Sequence, residues 1–379
     1  MQINKKDIMN PFLFLFALLS LLLSSCENTT HNNKTVMKND EFEWQETLSC
    51  PPGYAIDVFA GGLSSKRGFT SLFLGTYTGE DGWGAGSSGM TYGVKTLPNH
   101  LHLIWVSHFE HKFYEVDTPI DYQKMVDLFN EGYYLDHNNP DNPGPRWRNY
   151  DSIVVGLAPG GVVVVWVAGL DRQIEIGRYQ GKEITFTQEE IAALPPGARK
   201  NMHSLEYQNN IIYHWNMIPK DILEKIKDKP VPYGLWDTYR QKYHWQLRFL
   251  FLHNEKIERV TLRLYNGERE QLYGEAETDK YPIIPEFLRW TTRKERAIPK
   301  LISFRYVVDN EEYGCTIKFD EEEIFNTFKR ILGDNPNAPI TVQIYVNTDR
   351  TRATVELVNG EESLGVFNSK IKIGKRRSL

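Results

Sequence analysis

The feature that most constrains the fold is a run rich in β-branched residues near the middle of the chain, from Ile153 to Gln180. Its apolar segments 153–155 and 162–167 flank a Pro-Gly-Gly tripeptide, whose glycines can adopt the positive φ angles of a tight reversal. The pattern predicts a buried β-hairpin followed by a third strand, 173–179. The centre of the chain is therefore expected to be β-sheet.

The order of elements around this hairpin recurs about two hundred residues later along the sequence. A strand pair at 101–116 precedes a helix, for which Thr118 and Pro119 are the predicted N-cap and first helical residue. A strand pair at 301–319 likewise precedes a helix, here capped by Asp320. Each copy continues into a hairpin and a single strand. The match is in pattern and not in residue identity, so an accidental alignment of β-rich segments is the alternative.

These patterns predict an α+β fold, predominantly antiparallel β, with a helix packed on a sheet in each half and a cleft between the halves. We place the N-terminal β-rich half at 42–240 and the C-terminal half at 241–379. In the first half, a capping box opens a short helix at Thr187, and 211–215 is assigned as a strand. In the second half, the runs on either side of the turn 253–256 are expected to pair as a hairpin.

The N-terminus has the composition of a lipoprotein signal peptide, residues 1–25. Two lysines precede an apolar segment, 11–23, that is short for a membrane span. The tetrapeptide Leu23-Ser24-Ser25-Cys26 resembles a lipobox, in which Cys26 is acylated before the preceding peptide is cleaved. The alternatives are an ordinary signal peptide with an incidental cysteine, or an N-terminal membrane helix.

Several acyl chains on Cys26, each buried CH₂ worth about 0.8 kcal/mol, would anchor the protein durably in a membrane. Residues 26–41 are polar and aperiodic, which predicts a flexible tether. The tether has few acidic residues next to the anchor, so we expect the outer membrane facing the periplasm; the cell surface is the alternative.

The net charge limits the kinds of partner that we expect, and the cysteine content limits the disulfides that can form. Without residues 1–25 the chain has 42 basic and 48 acidic side chains, a net charge of −6, so no nucleic-acid partner is expected. After acylation of Cys26, only Cys50 and Cys315 remain. An oxidising periplasm would permit a disulfide between them, and two separately buried thiols are the alternative.

The sequence contains no strong signature of catalysis or of a cofactor. The segment Gly84–Gly89 has the spacing G-x-G-x-x-G, but no lysine and no helix follow it, so we expect no nucleotide. We interpret it as part of a flexible loop with Trp83 at its tip. Three histidines at even spacing, His100, His102 and His108, would point to the same face of a predicted strand. A solvent-exposed sheet face needs polar residues at these positions, which explains the histidines better than metal binding does. We therefore expect no metal, no cofactor and no enzymatic activity.

Aromatic side chains in predicted loops are the candidate contacts with a partner or ligand, namely Trp83, Trp147 and Trp236. Two expectations follow. The first is a non-catalytic protein that binds a protein or another envelope component. The second is an envelope protein that binds or cleaves carbohydrate, for which cleavage would need two suitably spaced carboxylates. A structural or assembly factor is a third alternative.

Several short motifs resemble a known family. They are Pro52-Gly53-Tyr54, Gly82-Trp83-Gly84, Trp105-Val106-Ser107, the run 110–114 and the run 155–164. With the lipobox, they make the sequence resemble the bacterial lipoprotein family catalogued as domain of unknown function 2931, mainly over residues 44–180. The resemblance implies an envelope lipoprotein with no established activity and no catalytic residues to carry over. An immunity function against a secreted toxin is one role it suggests.

Overall fold

The computed structural model describes residues 40–137 and 144–376. In the first half, strands and one helix follow each other in an order that the second half repeats. The first-half elements are β1 Glu41–Ser49, β2 Ile56–Ser65, β3 Gly68–Ser71, β4 Gly93–Thr96, β5 His100–Ser107, β6 Lys112–Pro119, α1 Tyr122–Glu131, β7 Tyr133–His137, β8 Gly144–Arg148, β9 Ser152–Ala158, β10 Val162–Gly169, β11 Arg172–Gln180 and β12 Lys182–Ile184.

A helical insertion separates the two copies of this order. It contains α2 Gln188–Ala193, α3 Ala198–Asn201, α4 Leu205–Asn209, a π-helical turn Asn210–His214, α5 Lys220–Ile226 and α6 Leu235–Tyr239. The segment from α2 to the π-helical turn is called the helical layer below.

The second half then follows. Its elements are β13 Lys242–Leu250, β14 Lys256–Leu264, β15 Arg269–Tyr273, α7 Glu275–Thr278, a 3₁₀ turn Glu286–Leu288, β16 Lys294–Ala297, β17 Pro299–Val308, β18 Glu311–Lys318, α8 Glu321–Leu332, β19 Ile340–Val346, β20 Ala353–Asn359, β21 Glu362–Val366 and β22 Lys370–Lys375.

Each half contains the same two five-stranded arrangements. The first has the order β4-β1-β9-β10-β11 in one half and β16-β13-β19-β20-β21 in the other. The second has the order β12-β6-β5-β2-β3 and β22-β18-β17-β14-β15. A pairing of Gln173 in β11 with Arg269 in β15 joins one arrangement of each half into a ten-stranded sheet. Most pairings are antiparallel, so the predicted α+β fold with two β-rich halves is confirmed.

The repeat extends to individual side chains, although few residues are identical. Trp44 Nε1 donates to the carbonyl of Lys95, whose ammonium lies 3.9 Å from the ring centroid. About 200 residues later, Trp245 Nε1 donates to the carbonyl of Arg296, whose guanidinium lies 5.2 Å from the ring centroid. The same strand register therefore places a tryptophan and a cation together in both halves.

Each half also packs one amphipathic helix on its sheet. Phe129 of α1 contacts Phe42 of β1, and Phe328 of α8 contacts Tyr243 of β13, with ring centroids 5.0 and 5.6 Å apart. The cap of α8 is Asp320, as predicted. The predicted cap of α1 is wrong, because the structure uses Asp121 while Pro119 still belongs to β6.

The central hairpin is buried on both faces, which explains its lack of polar alternation. Side chains such as Val155 and Val163 join the core of the first half. The alternate side chains Val154, Val164 and Trp166 join a second core that is formed mainly by the second half. The hairpin therefore lies between the two cores.

Two further expectations are wrong, and one strand was not predicted. Residues 211–215 are not a strand, since they overlap a π-helical turn. Strands β13 and β14 do not pair with each other, because β13 pairs with β16 and β19 while β14 pairs with β15 and β17. Strand β22, which the pattern does not predict, pairs with β18. The division of the chain between residues 240 and 241 stays a prediction.

Over residues 40–137 and 144–376, no helix has the length and apolar character needed to cross a membrane.

Candidate functional site

Two adjoining cavities of about 640 and 690 Å³ lie where the first half, the helical insertion and the second half meet. We call them together the inter-half cleft. The residues that line both cavities are Pro52 and Trp83 of the first half, Lys225 and Ile226 of α5, and Lys300 and Lys318 of the second half. The cleft is a concave site of the size that ligands occupy.

One wall of the cleft is aromatic. Tyr54 packs edge-on against Trp236, with ring centroids 5.6 Å apart, and Tyr239 packs against Tyr265 at 5.3 Å. All four rings are less than one-tenth exposed. Tyr239 also donates a hydrogen bond of 2.5 Å to Glu321 Oε1. Burial raises the pKa of Tyr239, and the charge of Glu321 raises it further, so this hydroxyl stays neutral at physiological pH.

Trp83 forms part of the cleft wall and is not an exposed loop tip. It is 8% exposed and packs edge-on against Trp166, with centroids 5.1 Å apart. The glycines on either side, Gly82 and Gly84, have φ angles of +97° and +82°. A Cβ atom at Gly84 would lie 2.5 Å from Gly267 Cα, so the loop approaches the second half too closely for a larger residue. The expectation of a flexible loop is therefore wrong at this position.

The structure brings together two of the three tryptophans singled out from the sequence. Trp236 lies in α6, not in a loop, and lines the cleft with Trp83. Trp147 lies in β8, is 49% exposed and donates from Nε1 to the carbonyl of Glu131. It does not line the cleft. Contact of any of the three with a partner stays a prediction.

Lysine side chains also line the cleft. Among them are Lys300 and Lys318 of the second half and Lys225 of α5. Among the described residues, no carboxylate oxygen lies within 4 Å of the ammonium nitrogen of Lys300 or Lys318. Burial lowers the pKa of Lys300, and the charges of Lys318 and Arg263 lower it further against the opposing effect of Glu321. The site therefore contains positive charge that the described side chains leave unneutralised.

Three carboxylates of the cleft have partners inside the protein. Asp320 caps α8 by accepting a hydrogen bond from the amide of Glu323, at 3.0 Å. Glu321 accepts from Tyr239, and Glu268 accepts from Lys242 at 2.9 Å. These three groups are held in structural roles, whereas the other two carboxylates of the cleft, Glu80 and Asp81, are exposed.

The remaining residues singled out from the sequence lie elsewhere. Cys50 and Cys315 are free, buried thiols in two different core clusters, so the disulfide is not formed. His100 and His102 each contact a carboxylate on the neighbouring strand, whereas His108 contacts buried Asp57. Across the described ranges, no group of three or more His, Cys, Asp or Glu side chains could hold a metal. The lipidation motif Leu23, Ser24, Ser25 and Cys26 lies outside the described residues.

Sequence reasoning missed most of the cleft. Tyr239 lies in the insertion, whose helices are too short for a periodic pattern, and Tyr265 follows the end of β14. Lys318 is an ordinary residue of a predicted strand pair, and Lys300 comes directly before that pair in the sequence. The sequence did predict a cleft between the two halves. It did not indicate which side chains would line that cleft.

The fold and the cleft define a class of protein, an α+β protein with a repeated β-rich half and a cleft between the two copies. The chain belongs to the protein family of unknown function DUF2931, which matches residues 27–234. That match covers more than half of the chain and includes the first copy and most of the insertion. No curated protein and no solved structure matches the chain.

Proposed function

We propose that this protein is a lipid-anchored binding protein of the bacterial cell envelope, and that the inter-half cleft holds a segment of a protein partner. The observation that carries the proposal is the cleft itself, with aromatic side chains on one wall and unpaired lysines beside them. The unpaired cations favour an acidic partner and steer its orientation, and the buried rings give this wall a fixed shape. Neutralisation of a periplasmic toxin is the sharpest form of this proposal.

Binding of carbohydrate is the second candidate, favoured by the aromatic wall. Its weakness lies in the geometry of the rings. Tyr54, Trp236, Tyr239 and Tyr265 are each at least nine-tenths buried, so little ring surface is open for stacking on a sugar. Among the cleft carboxylates, Asp320 and Glu321 are held in structural contacts, which argues against cleavage by these two groups. The unpaired Lys300 and Lys318 favour a protein segment with acidic side chains over a neutral sugar.

Affinity capture of the tagged protein from its own solubilised membranes tests the proposal. Lys225→Trp places a bulky side chain in the cleft, and we expect it to reduce recovery of the partner at least about tenfold. Lys220→Trp is the matched control, because it lies on the same helix and does not line the cleft. Equal recovery by wild type and Lys225→Trp would place the partner elsewhere. Recovery of glycan alone would favour the second candidate.

The membrane anchor is tested separately. Cys26→Ala removes the thiol whose acylation precedes cleavage, so we expect the variant to incorporate no palmitate label and to keep residues 1–25, whereas the wild type is labelled and shortened. A wild type without palmitate label would support an ordinary signal peptide or an N-terminal membrane helix instead.

A further inference from the structure

A row of cations crosses the second-half sheet at the rim of the inter-half cleft. Strand pairing aligns Arg269 with Arg263, Arg263 with Leu301, Leu301 with Lys318, and Lys318 with Lys370. Directly paired residues on neighbouring strands point to the same face of a sheet. The four basic side chains therefore form one line, which we call the cation row, and each of them lines the cleft.

The cation row is unfavourable for the folded protein on its own. Arg263 faces Arg269, and Lys318 faces Lys370, although like charges directly opposite each other on paired strands are destabilising. None of the described carboxylates lies within 4 Å of the charged groups of these four residues. Glu80 and Asp81, on the loop across the cleft, are exposed and lie beyond ion-pair distance of the row. Burial and the charge of Arg263 lower the pKa of Arg269, and the longer-range charges of Asp171 and Asp81 oppose them only in part.

The first half provides an internal control, because its strands have the same pairing. The counterparts of Arg269, Arg263, Leu301 and Lys318 are the following residues: Phe69, Ser64, His100 and Pro119. None of these four residues is a lysine or an arginine, and β12 is too short to provide a paired counterpart of Lys370. The fold therefore does not require cations at this register, and another cause must account for them in the second half.

We propose that the cation row binds an extended acidic segment of the protein partner. Neighbouring strands lie about 4.8 Å apart, so the row spans about 19 Å from Arg269 to Lys370. An extended peptide presents side chains on one face about every 6.7 Å, so four alternate carboxylates span about 20 Å. The two lengths agree, so an extended segment can lie across the strands with its acidic side chains along the cation row. This inference rests on the proposed function.

Lys300 adds a further positive charge to the cleft, next in sequence to Leu301 of the cation row. Its ammonium lies close to Gly82, where an added Cβ would be 3.3 Å from Nζ. Burial and the neighbouring charges of Lys318 and Arg263 lower its pKa, so an approaching carboxylate would relieve this repulsion. An acidic ligand therefore gains both from the row and from Lys300.

Fluorescence anisotropy of the full-length protein in detergent tests the inference. The probe is a labelled eight-residue peptide of alternating Glu and Thr, compared with a peptide in which Gln replaces Glu. We expect the Glu peptide to bind at least about tenfold more tightly and to weaken between 50 and 300 mM salt. The double variant Arg263→Gln/Lys318→Gln should weaken binding at least about tenfold. Arg263→Lys/Lys318→Arg, which keeps both charges, should retain it.

The matched control is Lys329→Gln/Arg330→Gln, which makes the same change of charge at exposed positions in the last turn of α8. It should leave peptide affinity unchanged. Equal affinity of wild type and Arg263→Gln/Lys318→Gln, or of the Glu and Gln peptides, would overturn the inference. Tight binding to phosphatidylglycerol vesicles without peptide binding would also overturn it, since a lipid surface would then be the occupant.

Capture experiments separate this inference from the proposed function. If wild type and Arg263→Gln/Lys318→Gln recover the same partner equally, the cation row is not the contact and the binding function stands. If the Glu peptide binds through the row but wild type recovers no partner, the proposed protein-binding function fails while the acidic preference stands.

Discussion

At the scale of residues, buried charges connect the two halves of the molecule. Glu270 accepts from Lys294 at 3.0 Å and from Arg296 at 3.1 Å. Burial alone would raise the pKa of Glu270, but the charges of Arg296, Lys294 and Arg172 outweigh it and lower the pKa. One carboxylate therefore compensates cations from β11 and from β16.

Glu270→Gln keeps the shape of the side chain and removes its charge. We expect a loss of about 3 kcal/mol in the free energy of unfolding, because the neighbouring cations would be left without a counter-charge. Since the pKa of Glu270 is lowered on folding, its stabilisation is present above the unfolded pKa and is lost as the pH falls through the folded value. Urea unfolding at pH 7 measures the effect. A loss below about 1 kcal/mol would contradict this account.

Glu311→Gln is the control for this prediction. Glu311 pairs with Lys375 at the surface, where solvent screens the interaction, so its replacement should change unfolding far less than Glu270→Gln.

At the scale of elements, the helical layer distinguishes the two halves. It covers the outer face of the first-half sheet, where Phe59, Val106 and Phe113 pack against Met202. In the second half, the position equivalent to Phe113 is Glu312, which pairs with Arg305 and Arg376. The uncovered sheet face is therefore polar, whereas the covered one is apolar.

The helical layer should loosen in mild acid because of His203. The imidazole stacks on Phe113 with centroids 4.5 Å apart, and burial lowers its pKa from the ordinary 6.5. Below about pH 6.5 the unfolded chain takes up a proton that the folded His203 resists, so stability falls as the pH falls. We expect His203→Phe to reduce the difference in unfolding free energy between pH 7.5 and pH 5.5. An unchanged difference would assign the pH dependence to other groups.

At the scale of the whole molecule, the two halves share a sheet and a core. The ten-stranded sheet contains strands of both, and the core of the second half includes Val154, Val164 and Trp166 of the central hairpin. Burial of each such side chain contributes about 1.5–3 kcal/mol, and a domain is stable by only about 5–15 kcal/mol. Neither half is therefore expected to be stable alone.

A fragment containing residues 40–241 tests this dependence. It retains the first-half strands and the helical insertion but exposes the second-half side of the central hairpin. We expect it to bind a hydrophobic dye such as ANS and to lack a cooperative thermal transition. A cooperative transition with no dye binding would show that the first half folds independently. The full-length protein is the control.

The limits of sequence reasoning are clearest at particular residues. The capping box of Thr187 and Glu190 and the cap at Asp320 were correctly predicted, because a cap depends on residues within one turn of chain. The cap of α1 was mispredicted because Pro119 also suits the end of a strand. The burial of Trp83 could not be predicted, since Trp166 is far from it in sequence.

The sequence by itself determined the local elements, the order in which they repeat and the buried central hairpin, because periodicity, turn residues and caps act over a few positions. Only the tertiary structure decided which strands pair and in what register. Those pairings align Arg263, Arg269, Lys318 and Lys370 in one row, and the packing of the insertion brings Tyr239 to the same cleft. Such sites depend on contacts between segments far apart in sequence, which no local pattern encodes.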